Sequence, residues 1–353
     1  MISGEDIVID PLTATMWVDP DTAVALASQN GSIVTPFATA QQAHDALPAN
    51  GGSIVLTFSA GEVSAGNLAA TKSIAIQGLG RDGDMGDIST TESLTLENVV
   101  AGDITSSGTS TRLTHARAGA IDVGANSVTL VDALVTGPIT AGQLVARDSE
   151  LTSEGHAIEA FVQTVNCTIG SITVSAGEIE SENDSYISSA SASTSITAKG
   201  STFGGAVDCA TIVAAQCTFG GELGVDEINV SDSATLRECG VEIDMTVVGG
   251  LDMFDTTTTS SDGNVVLASG SGVAINCELG GNWDAGAELS IDQPTYNRAI
   301  ASGFTVTATS VTFNDGPLSD GQLEWDLSAP LVLTALAAGH PPGYYSAATT
   351  LFM

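Results

Sequence analysis

The residues best placed to do chemistry in this chain are few and scattered. Asp82-Gly-Asp84-Met-Gly-Asp87 concentrates three carboxylates within six positions, the hard oxygen donors that a calcium ion takes. The twelfth position of an EF-hand loop counted from Asp82 is Ser93 rather than glutamate, so the run also reads as a solvated turn. Gly155-His156-Ala157 offers one imidazole between small residues. Five cysteines (Cys167, Cys209, Cys217, Cys239, Cys277) have no CxxC spacing, and the four histidines stand far apart, so neither set forms a zinc signature. The cysteines read as small buried thiols. No Gly-rich loop ends in Gly-Lys-Ser/Thr, so nucleotide binding has no support. No resident cofactor is expected beyond calcium at Asp82, Asp84 and Asp87 or loosely held monovalent cations.

Charge narrows the partners. Eight Lys+Arg stand against 42 Asp+Glu in 353 residues, a formal net charge of −34. Such a surface repels phosphate backbones and anionic lipid, which excludes nucleic acid and disfavours membranes. With 43% hydrophobic residues the chain can still bury a core. Only Lys72 and Lys199 are lysines and aspartate exceeds glutamate, a balance that resembles salt-adapted proteins, whose self-repulsion mobile cations screen. The opening Met-Ile-Ser-Gly-Glu-Asp lacks a basic and an apolar region, so no secretory signal is expected, and the longest apolar stretch is too short to span a bilayer.

The elements that carry these residues repeat. Asn98-Val-Val-Ala-Gly102, His115-Ala-Arg-Ala-Gly119, Ala133-Leu-Val-Thr-Gly137, Cys167-Thr-Ile-Gly170, Ser201-Thr-Phe-Gly204, Cys217-Thr-Phe-Gly220 and Cys277-Glu-Leu-Gly280 share one pattern, with looser members at Gly155 and Gly240. The intervals between these glycines are 17, 18, 18, 15, 34, 16, 20 and 40, the two longest reading as double steps. They average about 18 residues per turn, and so short a period is one coil of a β-solenoid. Alternating segments such as Ser127-Val-Thr-Leu supply strands with one buried face. The glycines are expected at the bends, where positive φ or close backbone approach is needed. Cys167, Cys217, Cys239 and Cys277 fall at equivalent positions, which predicts a ladder of stacked small residues. The absence of aromatics between Phe58 and Phe161 fits a thin aliphatic interior.

Thr35 to Pro48 has helical spacing of small and apolar residues, with Thr35 as the expected N-cap and Pro36 first in a helix over 36–47. Trp17-Val18-Asp19-Pro20, Asn30-Gly31, Pro36-Phe37-Ala38-Thr39-Ala40-Gln41-Gln42-Ala43 and Gly51-Gly52-Ser53-Ile54-Val55-Leu56 together resemble the opening of pectin-lyase-like right-handed parallel β-helices. The resemblance runs from Trp17 to Leu56 and implies an all-β fold, a single-stranded right-handed parallel β-helix. Its coils would have about 18 residues each, with a capping helix in front and an irregular C-terminal β cap. A left-handed helix has similar coils, but its hexapeptide rhythm is missing here. The expected organisation is an N-terminal arm or attachment segment at 1–35, the β-helix at 36–290, and a C-terminal cap or docking segment at 291–353.

The resemblance also implies two functions. Galacturonan hydrolases of the superfamily carry Asp-Asp, Gly-His-Gly and Arg-x-Lys, of which His156 with its neighbours is a fragment and the other two are absent. Virion surface proteins of tailed viruses carry the fold without those signatures. The leading expectation is therefore a non-enzymatic virion component, a capsid decoration, turret, spike or tail-spike part. It is expected to be a homotrimer, assembled in the host cytoplasm, that contacts other virion proteins and a host surface glycan or receptor. A polysaccharide-degrading tail spike, hydrolase or lyase, is the alternative.

Overall fold

A computed structural model describes residues 14–57, 64–79, 83–220, 227–258, 264–277, 282–292 and 305–314, the last two stretches as backbone strands. The chain divides into two compact units, residues 1–159 and 160–353. Each is a parallel β-solenoid.

In the first unit, β1 (Ala14–Val18) lies parallel to β2 (Gly52–Thr57), with Trp17 opposite Val55. The next coils stack in register: Ile54, Ile76, Leu96, Leu113, Leu130 and Ala146 form one inward column. Leu68, Ile88, Ile104, Ile121 and Ile139 form another. Along each strand buried and outward residues alternate, as the pleat demands, and a one-residue slip would turn a whole column to solvent. Ala14–Val18, within the segment expected as an N-terminal arm or attachment segment, thus pairs into the stack.

The outer edge of β1 is closed by the chain itself. Gly31 O accepts from Trp17 N–H at 2.9 Å, and Phe37 N–H donates to Trp17 O at 2.9 Å. An open edge would template pairing with another chain. The helix α1 (Ala40–Ala46) packs Ala40, Ala43 and His44 inward. It is shorter than predicted, and its N-cap is Thr39 rather than Thr35. Thr39 and Gln42 satisfy each other's backbone N–H groups in a capping box, whereas Thr35 closes a turn with Asn30 and Ser32. At the other end Lys72 Nζ donates to the carbonyls of His44 (2.9 Å) and Leu47 (2.7 Å), where the helix dipole favours a cation.

In the second unit the same alternation stacks Val162, Ile179, Ile196, Ile212, Ala234, Leu251 and Ala190, Val207, Ile228, Met245. Parallel pairing continues past the expected boundary at 290. Asn282–Asp292 pairs with two preceding strands, and Thr305–Asn314 pairs with it in turn. The residues beyond Asn314, where most of the C-terminal cap was expected, lie outside the described residues.

The coils are less uniform than their average length suggests, since from β2 onward equivalent partners stand 16 to 23 residues apart. Nor do the repeat glycines make the left-handed bends. That conformation is taken once per coil by Asn98, His115, Asp132 and Asp148 in the first unit. Asn166, Asn183, Gly200, Gln216, Glu238, Asp255 and Asn276 take it in the second. Asn and Asp tolerate it best among residues with a side chain. Among the repeat glycines with described backbone, only Gly155, at +81°, and Gly220, at +148°, have positive φ. Gly170 lies buried in the strand Thr168–Val174 beside a register shift.

Candidate functional site

The first candidate is the acidic run. Asp82 lies outside the described residues, and Asp84 and Asp87 are exposed. Asp87 Oδ1 accepts the backbone N–H of Asp103 at 3.0 Å, one step in a column at a single corner of the first unit. Asn67 Oδ1 accepts from Asp87 N–H (3.0 Å) and Asp103 Oδ1 from Ala120 N–H (2.8 Å). The residues preceding these partners are glycines for a steric reason: a Cβ on Gly102 or Gly119 would come within 2.3 Å of the carboxylate below. The column ends where it is no longer needed, because Ala120 has no acceptor and the next residue, Pro138, has no N–H. Gly137 continues the backbone column, donating to Gly119 O at 3.2 Å. Asp87 therefore closes a corner. Among the described residues no group of three or more His, Cys, Asp or Glu side chains is placed to hold a metal ion.

His156, the fragment of the hydrolase motif, is fully buried. Its Nδ1 accepts from Ile139 N–H at 3.1 Å, so the neutral ring carries its proton on Nε2, which is buried and makes no hydrogen bond. Burial pushes its pKa down, and the backbone groups of Leu151 and Ser153 only partly oppose this. An imidazole enclosed in this way has no access to a glycosidic bond.

The densest polar constellation lies elsewhere, inside the second unit. Each left-handed corner residue is followed by a small buried one, giving the series Cys167, Asp184, Ser201, Cys217, Cys239, Thr256 and Cys277. This is the expected ladder of small residues, but it is also a hydrogen-bonded one. The thiols of Cys167, Cys217, Cys239 and Cys277 donate to the carbonyl two residues back at 3.2–3.4 Å, as does the hydroxyl of Thr256 at 3.0 Å, and Ser201 Oγ stands 3.3 Å from the equivalent carbonyl of Lys199. Cysteine and serine are interchangeable here because each is a short donor at the same corner.

Asp184 breaks the series, since a carboxylate has no proton to donate. It instead accepts from Thr164 Oγ1 (2.6 Å), Ser181 Oγ (2.7 Å) and Cys167 N–H (2.7 Å). Tyr186 Oη stands 3.3 Å from Thr164 Oγ1, and Ser201 Oγ stands 2.8 Å from Ser181 Oγ. The chain of hydroxyls closes if Tyr186 donates to Thr164 and Ser201 to Ser181, so that both runs end on the carboxylate. Burial pushes the Asp184 pKa up while these donors hold it back. Burial, reinforced by the Asp184 charge, also drives the Tyr186 phenol far up. Each member of the cluster is buried. Its position in the series was visible in Asn183-Asp184, an acid where equivalent corners carry Cys, Ser or Thr. Nothing local showed that Thr164, on the preceding coil, would meet it.

Beside the polar cluster the rings of Tyr186 and Phe203 stack with centroids 4.8 Å apart, and those of Phe203 and Phe219 at 5.0 Å, both pairs nearly parallel. Phe203 and Phe219 belong to the repeated Thr-Phe-Gly, and Gly204 and Gly220 follow them. Gly280 lies outside the described residues. Chemically, the constellation is a closed acceptor network rather than a nucleophile beside a base, and its polar groups are spent on neighbouring coils. Comparison of the chain with protein-family models, with curated proteins and with solved structures finds no match.

Proposed function

We propose that the chain is a structural protein of a virus particle, a surface component of the capsid or tail whose work is mechanical. The observation that carries this reading is the way the solenoid units use their polar groups. Asp87, Asp103, His156 and Asp184, the residues with most chemical potential, are committed to coil-to-coil hydrogen bonds. A stack closed in this way resists local opening and proteolysis. The pectin-lyase-like resemblance and the missing hydrolase signatures support the same reading, although fold alone is a weak warrant for function.

In this proposal the N-terminal segment docks to the particle, which fits the exposure of Leu26, Ile33 and Val34. Three copies associate, as a closed cyclic assembly allows, and the acidic exterior faces concentrated salt or a host glycan. Calcium or monovalent cations would screen that exterior rather than complete a catalytic centre.

The deciding experiment is immunogold labelling of purified particles, paired with incubation of the protein with host surface polysaccharide. Labelled virions without release of reducing ends or unsaturated uronates are expected. Robust turnover would replace the structural reading with that of a degrading tail spike. Sedimentation in molar and millimolar KCl tests the remaining parts: a trimer that loosens as salt is removed is expected, and a monomer indifferent to salt would remove both.

A further inference from the structure

Among the described members of the corner series in the second unit, thiol follows thiol in consecutive coils at one place, Cys217 and Cys239. Cys167 is followed by Asp184, Cys277 is preceded by Thr256, and Cys209 lies on another wall. Thr218 pairs in register with Gly240 and Phe219 with Val241, so the two cysteines, one position earlier, stand directly above one another. Gly240 N–H donates to Cys217 O at 2.9 Å, which holds the two backbones at strand spacing. Neighbours in a parallel sheet lie about 4.8 Å apart, inside the roughly 4.4–6.8 Å over which disulfides bridge Cα atoms. Both side chains turn inward from the same corner and are buried, each thiol directed at the carbonyl two residues back, at 3.3 Å for Cys217 and 3.2 Å for Cys239. Only one residue separates them from solvent, since the corner residues Gln216 and Glu238 are bonded side chain to side chain outside them at 2.9 Å, exposed.

We propose that Cys217 and Cys239 are a modification site, a dithiol that a hydroperoxide converts into a disulfide joining two successive coils. The Cys239 thiolate attacks the near peroxide oxygen and the O–O bond breaks. The departing hydroxide or alkoxide takes a proton, leaving a sulfenic acid on Cys239. Cys217 then attacks that sulfur, the S–O bond breaks, and the hydroxide leaves with the Cys217 proton as water. With hydrogen peroxide the sum is two thiols and one peroxide giving one disulfide and two waters. The order follows from the contact: the Cys217 thiol beside it draws Cys239 toward thiolate, whereas the same contact, together with burial, raises Cys217. Burial also pushes Cys209 up to about 12. A thiolate is the attacking species, so Cys239 reacts first.

The test is to treat the whole protein with hydrogen peroxide, unfold it, alkylate the remaining thiols and map peptides without reduction. The expected result is a fall from five alkylatable thiols to three, a mass lower by two hydrogens and a Cys217–Cys239 linked peptide that dithiothreitol separates. Cys217→Ser should instead leave Cys239 as a sulfenic acid that dimedone captures, and Cys209→Ser should leave the link intact. Serine already occupies this corner at Ser201, so the variants keep the fold, which circular dichroism verifies. Five thiols still alkylatable after treatment, a link to any other cysteine, or Cys239 carried to the sulfinic acid in the parent protein would each overturn the proposal.

Discussion

The two units build the same parallel coil in opposite ways. In the first, between β2 and residue 159, the interior is aliphatic apart from single buried polar groups such as Ser149 and His156, and the longest polar column sits at an exposed corner, where Asn67, Asp87 and Asp103 each accept the N–H of the coil above. In the second, the rings of Tyr186, Phe203 and Phe219 stack inside, and an acid with its hydroxyl partners is buried beside them. A corner ladder in water exchanges one set of hydrogen bonds for another and gains little. A buried network gains more and leaves a larger penalty when one member is lost. The second unit should therefore be the more sensitive to substitution of its interior, and the first the more tolerant at its polar corner.

The largest effect is expected at Phe203, which has a ring on either side. Phe203→Ala removes both stacking contacts and leaves a cavity, a loss of about 3–5 kcal/mol. Guanidinium unfolding should show it, and hydrogen exchange should confine it to residues after 160. Asp184→Ala comes next, at about 3 kcal/mol, because Thr164, Ser181 and the Cys167 amide lose their acceptor in a dry interior. An effect under about 1 kcal/mol would mean that water replaces the carboxylate and that the two units do not differ as described.

Acid should separate the units by sign. His156 is neutral when folded, with its pKa depressed below the ordinary 6.5. The unfolded chain thus binds the extra proton first, and stability of the first unit falls as pH drops through 6.5 toward the folded value. Asp184 has a raised pKa, so its folded form keeps a proton over a range where the unfolded carboxyl has lost it. Its contribution falls as pH rises from the ordinary 3.8 through the folded value. The protection factor of the Ile139 amide, which donates to His156, should fall between pH 7 and 5, and His156→Gln should flatten that response.

Smaller changes refine the contrast. Asp103→Ala removes one exposed acceptor for Ala120 N–H and should cost about 0.5–1 kcal/mol. Thr111→Val should stabilise by about 1 kcal/mol, because Thr111 stands inside the aliphatic column with a buried hydroxyl that finds no partner. A destabilised Thr111→Val, measured by thermal melting, would show that the hydroxyl does bond to something there.

Much of the architecture was legible in the chain. The period, the strand alternation and the equivalence of Cys167, Cys217, Cys239 and Cys277 are local or nearly local patterns, and they survive as the stack and its corner series. The helix was legible in outline, but Thr39 with Gln42 outcompeted Thr35 as its cap, since a reciprocal pair satisfies two donors where Thr35 would satisfy one. Of the two reasons expected for the repeat glycines, close approach holds at Gly102, Gly119 and Gly137, where positive φ does not. At Gly102 and Gly119 they make room for a carboxylate one coil away, whereas the left-handed bends fall to Asn, Asp, His, Gln and Glu, residues less obviously marked for that conformation.

The acidic run and His156 looked most like chemistry in one dimension because their residue types are reactive. Coil-to-coil pairing gives Asp87 a place in an exposed corner column, and burial with such pairing does the same for His156 inside. Asp184 was one unremarked acid among 42 and became the centre of the densest polar cluster described. The sequence by itself determined that strands with one apolar face must stack at a short period, because alternation and repeat length are properties of neighbours along the chain. Only the tertiary structure decided which residues meet across coils, because a step that ranges from 16 to 23 residues cannot be counted forward, and hydrogen bonding depends on the register that results.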